Sequence, residues 1–216
     1  MTPFHKTKSA MILIDTHTHN STPTEHSIYN SGTSYIAARN ISVGIHPWNI
    51  SSKWEEDFAD ITKYAMYDNV KAIGECGLDT IKSQASLKLQ EEIFSAHAQL
   101  AESAKKPLII HCVKAFDTLL AIRKEINPQQ AWIIHGFRGK PEQSKQLIKA
   151  GFFISLGEKY NPDSARAIPL ERLLIESDES SLPIDKIYDS VANIKSISIE
   201  ALVLQIETNA QIFGQF

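Results

Sequence analysis

The residue types that could do chemistry in this sequence are concentrated at the ends of short apolar runs. Five of the eight histidines lie in such positions, together with two carboxylates. Imidazole and carboxylate groups together suit Zn, Mn, Fe and other divalent metals. The residues in this set are His17, His19, His46, Glu75, His111, His135 and Asp178.

The His17-x-His19 pair has the spacing of two ligands on one face of a strand. Side chains two residues apart in a strand point to the same side, so both imidazoles can reach one ion. The pair alone is weak evidence for a metal site. The other histidines and carboxylates at strand ends make metal ligation a better interpretation than polar strand caps.

Glu75 and Asp178 each have a second interpretation. Glu75 could be an exposed cap, but the flanking Gly74 and Gly77 indicate a close backbone approach and favour a site. Asp178 could cap the next segment, but its position at a strand end favours ligation or proton transfer. Asp15 is predicted either to orient the first histidines from behind or to end the first strand.

Three further residues are predicted to lie outside the site. His97 falls on the apolar side of a predicted helix and is interpreted as a core contact. Cys76 and Cys112 each adjoin a predicted ligand. Because neighbours in a strand point to opposite faces, both cysteines are predicted to pack against helices. Two cysteines indicate no disulfide framework, so a reducing, cytoplasmic setting is expected.

The elements that must position these residues are short apolar strands alternating with helices. This alternation predicts βα units and a parallel sheet, either open and doubly wound or closed into a barrel. In both cases the carboxyl ends of the strands converge on one mouth, where active sites lie. Strands are predicted at 10–14, 40–45, 70–73, 107–110, 132–134, 152–156 and 173–175, and helices at 86–104, 115–126, 141–150 and 198–213.

Length and composition limit the class of protein. A chain of 216 residues with 43% hydrophobic and 22% charged residues predicts one globular domain, 1–216. No apolar run approaches the roughly 20 residues of a membrane span. The net charge of −3 disfavours a protein that coats nucleic acid through a basic surface. It does not exclude an enzyme that binds phosphates through metal ions.

The motifs, taken in order, resemble those of the TatD family of metal-dependent deoxyribonucleases. The similarity extends from about residue 12 to the last helix. Each short motif alone occurs in many proteins, but six of them in this order are specific to the family. The pieces are His17-x-His19, Gly44-x-His46-Pro47, Gly74-Glu75-x-Gly77-Leu78-Asp79, the run ending in His111, His135-Gly136-Phe137 and Glu176-Ser177-Asp178.

The resemblance implies a TIM-type (β/α) barrel with two divalent metal ions and DNA as substrate. Because the chain is short for this fold, the barrel is expected to be compact and its shape could be distorted. It implies that His17, His19 and Asp178 hold one ion, that His111 and His135 hold the other, and that Glu75 bridges them. His46 would face the substrate phosphate. On this basis we assign Glu75, Asp178 and His46 to catalysis. His46 and Arg138, which lies in a Gly-flanked loop at the mouth, are assigned to phosphate binding.

Several loops depart from the family pattern, and further functions stay open at this level. Thr80, Lys114 and the segment 177–181 differ from the residues usual in the family. An amidohydrolase or lactonase would use the same barrel on a carbonyl group, although no lysine occupies a strand end comparable to that of Glu75. A phosphatase whose sequence opens with a His pair, or a metal-binding protein that has lost catalysis, would also agree with the pattern.

Overall fold

Eight parallel strands are wrapped around a common axis in the computed structural model, which describes residues 11–22, 24–37 and 39–216. Each strand pairs with the next one along the chain, and every pairing is parallel. The strands are β1 (Asp15–Thr18), β2 (Ser27–Asn30), β3 (Ile41–Val43), β4 (Val70–Asp79), β5 (Leu108–Val113), β6 (Trp132–Ile134), β7 (Phe153–Leu156) and β8 (Leu173–Ile175).

The last strand returns to the first through the segment that follows it. A parallel bridge joins Thr18 to Asp178, and His19 N–H donates to the Asp178 carbonyl at 3.0 Å. The N–H and hydroxyl of Ser177 donate to the two carboxylate oxygens of Asp15 at 2.9 and 2.6 Å. This closure, together with the consecutive strand order, excludes the open doubly wound sheet. The predicted TIM-type barrel is therefore confirmed.

Seven α-helices surround the described part of the barrel, and none of them is long and apolar enough to cross a membrane. The first helix comes only after β3, so within the described residues β1 and β2 are followed by turns and loops. Because no helices follow these two strands in the described residues, a chain of 216 residues is long enough to form a barrel. The helices are α1 (Trp54–Tyr64), α2 (Leu87–Ala104), α3 (Phe116–Ile126), α4 (Pro141–Lys149), α5 (Pro162–Ala167), α6 (Ile184–Lys195) and α7 (Ile199–Ala210).

Local sequence signals set the ends of the helices. Ser86 caps α2 by accepting the N–H of Leu89 at 3.3 Å, and Pro141 occupies the first turn of α4, where its missing N–H costs no hydrogen bond. Gly151 follows α4 with a φ of +93°, a conformation that glycine adopts without strain. These helices therefore begin and end within about one residue of the predicted bounds.

Apolar packing lies mainly between the strands and the helices. Phe94 of α2 and Phe152 before β7 both make edge contacts with Trp132 of β6, with ring centroids 5.3 and 5.9 Å apart. The barrel interior also contains polar groups. Thr16 of β1 and Ser155 of β7 approach to 3.2 Å between hydroxyl oxygens although β8 lies between their strands, so both side chains point inward.

Several predicted bounds differ from those observed. The strand predicted at 40–45 is β3 (Ile41–Val43), and the helix predicted at 198–213 is α7 (Ile199–Ala210) followed by a 3-10 turn. Three other strands differ as follows. The first was expected at 10–14, whereas β1 is Asp15–Thr18, because its pairing with β2 begins at Asp15 opposite Ser27. Position 10 lies outside the described residues. Strands β4 and β5 continue past their predicted ends to Asp79 and Val113, because their pairing resumes after an irregularity between Ile73 and Cys76. Strand β2 and helices α1, α5 and α6 were not predicted.

Candidate metal centre

The carboxylate of Glu75 lies at the centre of the barrel mouth and is surrounded by histidines. It is positioned in the middle of the long strand β4 rather than at its end, and only 3% of the residue is exposed. Its Oε2 lies 3.3 Å from His17 Nε2 and 3.4 Å from His19 Nε2. The two carboxylate oxygens serve different neighbours: Oε1 faces His135 Nε2 at 2.7 Å, His111 Nδ1 at 2.9 Å and His46 Nε2 at 3.0 Å.

Asp178 adds a second carboxylate on the Oε2 side of Glu75. Its Oδ1 lies 3.9 Å from His17 Nε2 and 3.7 Å from His19 Nε2. Asp178 has a φ of +53°, and its backbone N–H donates to the carbonyl of His17 at 3.0 Å. The closure between β8 and β1 therefore also sets the position of this carboxylate.

The donor atoms form overlapping groups of the size that one ion requires. Three sets of one nitrogen or oxygen per residue lie within 4.8 Å of one another: His17, His19 and Glu75; His17, His135 and Asp178; His46, Glu75 and His111. Neither ring nitrogen of the buried His17 makes a hydrogen bond, which is costly for a polar group without a ligand. Imidazole with carboxylate is a donor set typical of divalent transition metals, so these residues fit such ions.

Three polar residues around the cluster, Asp79, Glu176 and Asn30, contact the histidines or Glu75. Asp79 Oδ2 lies 3.2 Å from His111 Nε2, so the other nitrogen of that ring faces Glu75. Glu176 Oε1 lies 3.4 Å from His135 Nδ1 in the same way. Such carboxylate–imidazole pairs fix the orientation of a ligating ring.

Asn30 of β2 is the third of these outer residues. Its Nδ2 donates to Glu75 Oε2 at 3.1 Å and lies 3.3 Å from His19 Nε2. No role was predicted from the sequence for Asn30, Asp79 or Glu176. The motifs that contain Asp79 and Glu176 could have indicated them, whereas nothing marked Asn30, because its strand was not predicted.

The charges of the cluster follow from burial and from mutual contact. Burial by itself raises the pKa of Glu75, but the charge of His135 and hydrogen bonds from His111 and His135 outweigh it and hold the pKa well below the usual range. Burial by itself lowers the pKa of His135, but Glu75 and Glu176 raise it well above the ordinary value. These contacts therefore favour the ionised form of Glu75.

Glycines allow the strands around Glu75 to approach closely. A Cβ on Gly74 would lie 2.4 Å from the carbonyl oxygen of Ile109, and Gly74 has a φ of +128°. A Cβ on Gly44 would lie 2.8 Å from the Cα of Gly74. No side chain fits between these backbones, in agreement with the close approach predicted from the flanking glycines.

His46 and Arg138, the predicted phosphate-binding residues, lie at different distances from the centre. His46 contacts Glu75 directly, its Nδ1 accepts the N–H of Trp48 at 3.1 Å, and burial lowers its pKa. Arg138 is exposed and lines a cavity of about 270 Å³ together with Lys159 and Asp178. The structure therefore places His46 in the cluster and Arg138 on the surface beside it.

Residues predicted to lie outside the cluster do so. His97 is fully buried: Nδ1 donates to the carbonyl of Ile93 at 2.8 Å, and Nε2 accepts the N–H of Ile45 at 3.0 Å. Asp15 accepts hydrogen bonds from Ser177 rather than from the histidines, and it begins strand β1 rather than ending a strand, so both predicted roles of Asp15 are wrong. Among the described residues, the groups that could hold a metal contain neither Cys76 nor Cys112, and both cysteines are free.

A nearly closed parallel barrel with histidines and carboxylates gathered at its mouth is typical of metal-dependent barrel hydrolases. Comparison with known proteins gives the family. The sequence model of the TatD related DNase family matches residues 7–214. The chain therefore belongs to the TatD family of metal-dependent hydrolases, as the motifs predicted.

Three bacterial proteins illustrate the similarity in sequence. An uncharacterized metal-dependent hydrolase of Buchnera aphidicola is 30% identical, over 78% of this chain and 71% of its own length. The uncharacterized metal-dependent hydrolase YcfH of Escherichia coli is 33% identical over 65% of this chain, and the match spans only 56% of that relative. A protein of Pantoea ananatis named 3'-5' ssDNA/RNA exonuclease TatD is 30% identical over 80% of this chain and 77% of its own length.

Solved structures show the same fold. The TatD homologue YJJV of Escherichia coli superposes with a TM-score of 0.72 at 18% identity, covering 81% of this chain and 76% of its own. A TatD family hydrolase from Entamoeba histolytica superposes with a TM-score of 0.67 at 20% identity, covering 81% and 75%.

Proposed function

We propose that this protein hydrolyses DNA phosphodiester bonds with two divalent metal ions held at the barrel mouth. The observation that carries the proposal is that the two carboxylate oxygens of Glu75 face different histidines. Oε2 faces His17 and His19, whereas Oε1 faces His111 and His135. A carboxylate placed in this way can bridge two cations. In the proposal His17, His19 and Asp178 hold one ion, His111 and His135 hold the other, and Glu75 touches both.

The protein's own groups then have separate tasks. Divalent ions bound at these ligands supply Lewis acidity toward phosphate oxygens and make water more acidic. Asp178 accepts the proton of the attacking water at its carboxylate, which already faces the His17 and His19 side of the centre. The Nε2 edge of His46 faces the centre and donates to the phosphate as negative charge develops there.

Nucleic acid is the proposed substrate class. The cavity of about 270 Å³ beside the centre is lined by two cations, Arg138 and Lys159, that can hold the phosphates of a strand leading away from the centre, and by three carboxylates, Glu158, Asp178 and Glu179. The Pantoea ananatis relative, named as a single-strand exonuclease, supports the same substrate. A cytoplasmic location is part of the proposal and agrees with the two free cysteines.

The test is hydrolysis by purified protein charged with Mg, Mn, Zn or Co. We expect metal-dependent shortening of a 5′-labelled single-stranded oligonucleotide, abolished by chelation and restored by the metal. Duplex DNA, an aryl phosphate monoester and an aryl ester serve as comparison substrates. Hydrolysis of the ester or of the monoester with every DNA substrate left intact would overturn the proposal in favour of an amidohydrolase or a phosphatase.

A further inference from the structure

An exposed aromatic ring stands at the edge of the metal centre. Trp48 lies in the short 3-10 turn directly after His46, and 39% of the residue is exposed. The centroid of its ring lies 4.6 Å from that of His46 and 5.4 Å from that of His111. The partly exposed indole therefore adjoins the rings of two histidines of the centre.

The indole is held in place by a buried carboxylate. Trp48 Nε1–H donates to Asp79 Oδ2 at 2.6 Å, and Asp79 Oδ1 in turn accepts the N–H groups of Ile81 and Lys82 at 2.7 and 2.9 Å. The only polar atom of the side chain thus points inward. What remains exposed is hydrocarbon ring in a fixed orientation, the form of surface on which a flat apolar group stacks at little entropic cost.

The loop that follows β4 adds a cation and an apolar side chain to the same surface. Lys82 Nζ lies 4.2 Å from the centroid of the Trp48 ring, and Ile81 is 67% exposed. An aromatic ring beside an ammonium group is the combination by which proteins bind single-stranded nucleic acid: the ring stacks on a base and the cation meets the phosphate.

We propose that Trp48 and Lys82 form a subsite for one unpaired nucleobase next to the scissile phosphodiester, an inference that rests on the proposed function. The base stacks on the indole, and Lys82 moves from the ring to the adjoining phosphate. Stacking of a base on an aromatic side chain is stronger than an exposed ammonium–ring contact, so the base displaces the lysine. Because the faces of a paired base are already stacked in a duplex, the subsite selects single-stranded ends.

The test measures binding separately from cleavage. Fluorescence anisotropy of a 5′-labelled oligo(dT), in chelator, gives the Kd for the parent protein, Trp48→Leu and Trp48→Phe. A second oligonucleotide has the same phosphates but an abasic residue at its 3′ end. We expect Trp48→Leu to weaken binding of the first oligonucleotide about tenfold and that of the second less than twofold, because only the first has a terminal base to stack. Trp48→Phe, which keeps a ring but loses the N–H, should retain most of the affinity.

Trp54→Phe, on helix α1, is the matched control and should bind like the parent. Equal Kd values for the parent and Trp48→Leu, or the same loss on the base-bearing and the abasic oligonucleotide, would overturn the subsite. Metal titration of Trp48→Leu checks that the centre is intact. Base-dependent binding through Trp48 without hydrolysis under any metal would refute the proposed function and leave only base binding at Trp48. DNA hydrolysis with a KM unchanged by Trp48→Leu would refute the subsite alone.

Discussion

At the scale of single residues, the centre depends on one carboxylate with an unusual number of partners. Five histidine side chains lie within 3.4 Å of the oxygens of Glu75, and Asn30 donates to one of them. Substitutions that remove one charge or one contact here should change metal binding without unfolding the barrel, because the strands around the centre are held by buried apolar residues.

Glu75→Gln tests the bridge. The substitution keeps size and shape but removes the negative charge between two cations, which repel each other strongly at short range. We expect near-normal folding, loss of at least one metal equivalent, and hydrolysis reduced by at least about a hundredfold. Elemental analysis, the melting temperature and initial rates measure the three effects. Glu125→Gln, at an exposed position of α3, is the control. Two retained metals and a full rate in Glu75→Gln would contradict the two-metal assignment.

Glu176→Gln tests whether a buried carboxylate orients His135. Glu176 has no exposed surface, its Oε1 accepts the N–H of Gly136 at 2.5 Å, and the same oxygen lies 3.4 Å from His135 Nδ1. Loss of an outer carboxylate partner typically weakens metal affinity by about 10- to 100-fold. Calorimetric titration with Mn or Zn should show this loss at one of the two ions. An unchanged metal affinity would mean that His135 is oriented by its packing alone.

At the scale of elements, the structure joins helix α2 to the end of strand β3 through His97. Its ring accepts the N–H of Ile45, the residue directly before His46, and donates to a carbonyl of its own helix. The helix therefore helps to position the loop that carries His46 and Trp48. His97, which the sequence predicts as a core residue, therefore helps to position His46 through the backbone of Ile45.

His97 also makes stability depend on pH. Burial, opposed only weakly by its hydrogen bond to Ile93, lowers the pKa of His97 from 6.5 to about 4. In the unfolded chain the ring takes up a proton below about pH 6.5. The stability that the neutral ring contributes is therefore complete above pH 6.5 and is lost as the pH falls toward 4. The difference corresponds to about 3 kcal/mol at most.

Urea unfolding in chelator between pH 7.5 and 4.5 measures this effect. The free energy of unfolding of the parent should fall more steeply with decreasing pH than that of His97→Gln, whose amide can still accept the N–H of Ile45 but does not titrate. Subtracting the two curves removes the contributions of other groups, including Asp15, whose pKa is raised by burial to about 6. Parallel curves for the two proteins would show that His97 does not titrate differently on folding.

At the scale of the whole molecule, metal binding and folding are linked. The proposed ligands lie in, or within three residues after, β1, β4, β5, β6 and β8, so an ion bound there connects both sides of the barrel closure. A ligand that binds only the folded state stabilises it by about 2.7 kcal/mol at a hundred times its Kd. For a chain of this size that corresponds to a rise in melting temperature of about 5–10 °C.

Thermal unfolding with and without chelator measures this linkage. The parent protein should melt about 5–10 °C higher with excess Mn or Zn than in chelator, whereas Glu75→Gln should gain markedly less. The same gain in both proteins would show that the stabilising ion binds elsewhere. The comparison also separates metal affinity from catalysis, because no substrate is present.

Local patterns and motifs in the sequence were enough to predict the barrel and to select the residues of the candidate centre. Alternating apolar runs and helices are local patterns, and helices such as α2 and α4 carry their own caps and stops, so their bounds could be predicted closely. Residue types at strand ends, with the motif order, were enough to select His17, His19, His46, Glu75, His111, His135 and Asp178. The structure brings all of these side chains together.

How these residues meet could not be predicted, because contacts between strands distant in sequence leave no local pattern. The closure of β8 onto β1 depends on Asp15 and Ser177, which are 162 residues apart, and it excludes the open sheet that the alternation alone allowed. The irregular pairing of β4 with β5 puts Glu75 in the middle of a strand. Asn30 lies on the short strand β2, which has no apolar run by which it could be predicted. Its hydrogen bond to Glu75 exists only when the barrel is formed.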